Sequence, residues 1–146
     1  MDKTTENQQS DIPCPEVLYR VALKRGHIGP DGEVKADLFI LRPVDEGKLS
    51  VYRRELVSLA VVEGQFRNTR GSVTLHTGRV RDAGIVLERK LDVVQDEIPN
   101  APAGHAVIIG LPDPELESDD AEYAASILRD QCRLVRAKSQ GATEKS

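Results

Sequence analysis

Six arginines, Arg53, Arg54, Arg67, Arg70, Arg79 and Arg81, crowd into the middle of the chain among glycines and small polar residues. A guanidinium is a planar fork that grips phosphate or carboxylate through paired N–H donors, and nearby glycines let backbone approach an anion closely. Such residues could bind a nucleotide, another acidic ligand or an acidic partner surface. Residues 64–71 do not match the GxxxxGK[ST] phosphate loop, and Gly71, Gly78 and Gly84 do not form GxGxxG.

Three histidines could add proton transfer near neutral pH. His27 falls in a turn, His76 ends an expected strand and His105 opens another, so His76 and His105 are the candidate catalytic residues. No HxH or HxxxH spacing occurs, and no metal site is expected. The acidic run Asp113, Glu115, Glu117, Asp119 and Asp120 lacks the glycine and the ligand alternation of a calcium loop, so capping and solvation are its expected roles. Ser50, Ser58, Ser72, Ser118 and Ser126 are the serines weighed as nucleophiles, and none sits in a GxSxG elbow. Cys14 and Cys132 are too few for a disulfide framework or a four-cysteine zinc site. No cofactor is expected.

The elements that must position these residues come from periodicity. Ala106–Gly110 is a short β-branched run closed by Gly110 and Pro112, which reads as a core strand. Ala121, Ala124, Ala125, Leu128, Cys132 and Val135 fall on one helical stripe. Asp119 and Glu122 open it like a capping box, and Arg133, Arg136 and Lys138 suit its C-terminal pole. Upstream, Pro15 can open a short helix through about Arg25, with a strand over Leu18–Leu23 as the rival. Residues 27–32 read as a turn, and Val34–Arg42 alternates as a strand closed by Pro43. Ser50 reads as the N-cap of a short helix carrying Tyr52, Leu56, Leu59 and Ala60. Strands are expected at Ser72–His76, Ile85–Leu87 and Leu91–Val94, with loops between.

The resulting expectation is α+β: a small mixed or mostly antiparallel sheet of four to five short strands, packed by a C-terminal amphipathic helix and one or two shorter helices. Residues 12–138 form a single domain, with a disordered tail at 1–11 and a frayed one at 139–146.

The net charge of −4 hides a basic centre, +4 over residues 50–90, between ends of −2 and −6. That balance argues against nucleic acid as a partner, and five Tyr and Phe with no Trp cannot form a stacking platform. No apolar run approaches a membrane span, and the first eleven residues lack the apolar segment of a signal peptide, so a cytoplasmic protein is expected. Charge segregation without a complete catalytic motif suggests an accessory protein that binds a partner protein through its charged surfaces. The alternative is an enzyme or binding protein for a nucleotide or other phosphorylated ligand, built on an arginine/histidine pocket.

Overall fold

A computed structural model describes residues 12–137 apart from Arg25, Arg67, Asn100 and Pro102. The expectations for both tails, for Lys138 and for Arg67 lie outside the described residues.

Six strands form one antiparallel sheet: β1 (Val17–Ala22), β2 (Leu49–Arg53), β3 (Gly71–His76), β4 (Asp92–Gln95), β5 (His105–Ile109) and β6 (Arg133–Ala137), in the spatial order β4-β5-β2-β1-β3-β6. Three α-helices accompany it among the described residues: α1 (Leu59–Gly64), α2 (Thr77–Leu87) and α3 (Ser118–Gln131). Two single turns of 3-10 helix, Ala36–Phe39 and Pro43–Asp45, lie in the connection between β1 and β2. The α+β class and the dominance of antiparallel pairing agree with the sequence reading, with one strand more than expected.

The sheet has apolar residues on both faces. Leu18, Ala22, Leu49, Val51, Val73, Leu75, Val93, Ala106 and Ile108 join Val80 and Ala83 of α2, Ala124, Ala125 and Leu128 of α3, and Leu38 and Phe39 in the larger core. On the other face Tyr19, Val21, Tyr52, Val57 and Val62 of α1 form a smaller cluster, with Leu59 and Phe66 packed against it. Being covered on both sides explains why β1 is a strand although its pattern favours a helix. Apart from Arg20, both alternating sets in VLYRVA are apolar, and a doubly buried strand loses the alternation that identifies a half-buried one.

Five other expectations are corrected. Residues 34–42 form no strand: Val34 makes a single bridge with Ile28, and the chain then turns at Ala36–Phe39. Leu38 and Phe39 are consecutive yet both buried in the larger core, a placement that an extended strand, alternating its side chains, cannot give. Ser50 lies inside β2, and the cap belongs to Ser58, whose Oγ accepts the Val61 N–H at 3.2 Å. Ile85–Leu87 are the last turn of α2, with Ile85 and Val86 exposed. The last helix stops at Gln131, and Arg133–Ala137 cross to pair with β3. Its expected capping box is also absent: Glu117 is the N-cap, without a side-chain bond, and Asp119 and Asp120 lie in the first turn.

The pairing of the two central strands is incomplete. β1 pairs with β3 over six residues, but with β2 at Leu18↔Arg53 and Tyr19↔Tyr52 alone. Beyond Tyr19, β2 stays with β5 while β1 leaves it, so the two strands diverge and open a wedge in the middle of the sheet.

Candidate functional site

The wedge is occupied by Arg20. Its Nε donates to the Leu38 carbonyl at 2.9 Å and its Nη1 to the Ser50 carbonyl at 2.8 Å, replacing the strand pairing lost where β1 and β2 separate. A guanidinium carries five N–H groups, so three remain. No carboxylate lies within salt-bridge distance of Arg20 among the described residues. Desolvation by burial pulls its pKa down to about 10 against the opposing field of Asp45, which leaves it charged at neutral pH. Arg20 is half-buried, and a partly desolvated cation without a contacting ion-pair partner has an anion as its natural complement.

Arg20 lines a cavity of about 570 Å³, within the size range of small-molecule sites. His27, Ser50, Tyr52 and His105 also line it, with Phe66 and Ile98 among its apolar walls. Lys24 and Asp37, both exposed, stand at its rim. Arg42 and Asp45 contribute as a pair: Asp45 accepts the Arg42 backbone N–H at 2.7 Å and its Nη2 at 3.2 Å. Burial pushes the Asp45 carboxyl upward, but these bonds and the nearby guanidinium charges prevail and hold it below the usual carboxylate range. Asp45 is thus committed to Arg42 by contact, and Arg20 is left as the inner charge without a bonded counter-ion.

His27 Nδ1 is buried with no hydrogen-bond partner among the described residues. Burial lowers the pKa of this imidazole, and the positive charges of Arg20 and Lys24 lower it further. It is a neutral ring beside a cation, able to gain a proton when negative charge arrives.

His105 is 5% exposed and fixed on every side. Its Nδ1 lies 2.6 Å from the Asp96 carbonyl oxygen and 3.7 Å from Oδ2 of the same residue, and its Nε2 lies 3.0 Å from Ser50 Oγ. Tyr52 packs edge-on against the ring at 5.2 Å between centroids. Gly104 sets the start of β5: its φ is +108°, and a Cβ there would stand 2.8 Å from Val57 Cγ1.

Of the sequence-derived site residues that the structure describes, His105 lines the cavity and the others do not. Arg53 lies in a bidentate pair with the buried Glu16 and donates to Gln95 Oε1, and the Glu16 hydrogen bond holds its pKa up. Arg81 bonds Asp92, the Ile12 carbonyl and Cys14 Sγ. Arg54 and Arg79 are exposed, and Arg70 is half-buried with Nε lacking a hydrogen-bond partner among the described residues. His76 is exposed at the end of β3. The backbone of Arg54 bonds Val17, which pairs with His76, so Arg54 and His76 lie at the start of β1; the Arg70 N–H bonds the Ala22 carbonyl at its other end, where the cavity opens. Among the described residues no three metal-ligating side chains gather into a site. Cys132 is half-buried, its thiol pushed up to about 11 by desolvation.

Arg20, Ser50 and Tyr52 are not legible as a group in the sequence because they meet only through strand pairing. Arg20 does carry a signal: it is the single charge in the apolar run VLYRVAL, and a charge in a central strand is seldom there without a partner to bind. Compared with known proteins, the chain matches no family model, no curated protein and no solved structure.

Proposed function

We propose that this protein binds a small anionic ligand, a phosphate ester of nucleotide size, in the cavity between β1 and β2. The observation that carries the reading is Arg20, a desolvated guanidinium with N–H donors to spare and no carboxylate in contact, lining a cavity of about 570 Å³. Phosphate suits it better than a metal or a neutral ligand, since the inner group is a cation and His27 can accept a proton as negative charge enters. Tyr52, Phe66 and Ile98 offer apolar surface for the rest of the ligand.

The test is a thermal-shift and calorimetric titration of the full chain with inorganic phosphate, nucleoside mono- and diphosphates and dicarboxylates. A phosphorylated compound at 100 times its Kd stabilises the fold by about 2.7 kcal/mol, and each kcal/mol raises Tm by roughly 2–4 °C in a chain of this size. Arg20→Lys keeps the charge but loses the fork, and weakens binding at least about tenfold. Lys24→Ala, at the exposed rim, weakens it less. A panel that leaves Tm unchanged at millimolar concentration overturns the reading.

The rival reading, a protein partner held by segregated charge, finds less support. Arg53, Arg81 and Arg89 of the basic centre are engaged by Glu16, Asp92 and Glu117 of the acidic ends. A stoichiometric partner retained at low salt and lost at high salt would favour it.

A further inference from the structure

The cavity that Arg20 lines also contains a hydroxyl held against an imidazole in the geometry that activates a nucleophile. We infer that Ser50 is the nucleophile and His105 the general base of a phosphate-ester hydrolase or transferase; this rests on the anion-binding reading of the same cavity.

The hydrogen-bond chain fixes the roles. The Asp96 carbonyl can only accept, so the proton of a neutral His105 sits on Nδ1, pointing at that oxygen 2.6 Å away. Nε2 is then a lone pair, and the Ser50 hydroxyl 3.0 Å away donates to it. The Asp96 carboxylate, 3.7 Å from Nδ1, faces the positive charge that His105 acquires on taking the serine proton. Asp96 also donates its backbone N–H to the His105 carbonyl at 3.0 Å, so the orienting residue is locked to the base from both sides. A nucleophile, a base within hydrogen-bond reach and a third group orienting the base are the parts that serine activation requires.

Ser50 and His105 both line the cavity, and Arg20 bonds the carbonyl of Ser50 itself. The guanidinium lines the same cavity as the hydroxyl, and from there it can neutralise charge building on the equatorial oxygens of a transferring phosphoryl group. Ser50 Oγ bonds to phosphorus as the bond from phosphorus to the ester oxygen breaks. The serine proton passes to His105 Nε2, while the departing alkoxide, in line on the far side of phosphorus, takes a proton from solvent. A water, or an acceptor hydroxyl, then attacks the phosphoserine from that far side and gives its proton to solvent. Ser50 leaves as an alkoxide and recovers its proton from His105, which returns the site to its starting state.

The experiment treats the full-length chain with a fluorophosphonate probe and measures para-nitrophenyl phosphate turnover alongside. Attack forms the serine–phosphorus bond and expels fluoride, so intact mass gives a single adduct that peptide mapping places on Ser50. Ser50→Ala abolishes adduct and turnover while keeping inorganic phosphate binding, and His105→Gln slows labelling by about 10²-fold or more. If phosphate binds in an Arg20-dependent way but Ser50 takes no adduct, or Ser50→Ala turns over like the parent, the catalytic inference fails and the binding reading stands. If Ser50 is labelled but no phosphate compound binds, the anion reading fails and the phosphate-ester specificity fails with it.

Discussion

His27 titrates against its surroundings. Its pKa lies below the ordinary value because burial and the charges of Arg20, Lys24 and Arg42 disfavour the imidazolium, with Asp37 opposing them. Below about pH 6.5 the unfolded chain therefore binds a proton at this residue that the folded chain does not, and stability falls as pH drops through that range. Denaturant melts at pH 7 and 5.5 should show this loss in the parent protein and a smaller loss in His27→Gln. An anion in the cavity reverses the sign by favouring the imidazolium, so phosphate binding should take up a proton and tighten on acidification. Arg53 makes the contrasting case. Its partner Glu16 is 6% exposed, so Arg53→Met strands a buried carboxylate and should cost about 3–5 kcal/mol in urea denaturation. Most of that loss should return in the Glu16→Gln/Arg53→Met double variant.

At the scale of elements, α2 shows how glycine misleads a reading by propensity. Thr77–Leu87 contains Gly78 and Gly84, which by composition suggest loops, yet both serve close packing. A Cβ on Gly84 would run into the Arg89 carbonyl oxygen and lie 2.9 Å from the Leu91 nitrogen, where the chain doubles back into β4. Helix propensity alone promises a gain of about 1 kcal/mol for Gly84→Ala. Backbone crowding should instead make it destabilising by about 1–3 kcal/mol, measurable as a lower urea midpoint with an unchanged m-value. The end of α3 teaches the complementary lesson. Apolar spacing carries on through Val135, but β3 would be left with a bare edge, and pairing with Arg133–Ala137 satisfies it. The Cys132 N–H closes the helix on the Leu128 carbonyl at 3.0 Å just before the crossing.

For the whole molecule, part of the charge segregation along the chain is met internally. Basic residues of the middle meet acidic residues from both ends in the Arg53–Glu16, Arg81–Asp92 and Arg89–Glu117 pairs. No helix of the described residues is long and apolar enough to cross a membrane. The divergence of β1 from β2 couples the proposed ligand cavity to the centre of the sheet. Ligand binding should therefore slow amide hydrogen exchange across residues 20–28 and 37–52, with little effect on α2. Uniform protection, or none in these segments, would separate binding from the wedge.

The α+β class, the strands at Ser72–His76, Leu91–Val94 and Ala106–Gly110, and the start of the last helix are legible in the sequence, since each rests on local periodicity bounded by glycine, proline or acidic residues. His105 is a catalytic candidate there beside His76, and the structure sets it in the cavity wall. Its partners do not stand out there. Ser50 is 55 residues away and Arg20 lies 30 from Ser50, and antiparallel pairing and the parting of two central strands set them around one cavity. Local pattern specifies which way a residue's own element faces. Which distant side chains share that space, and whether a charge there has a partner, is decided by the packing of the whole chain.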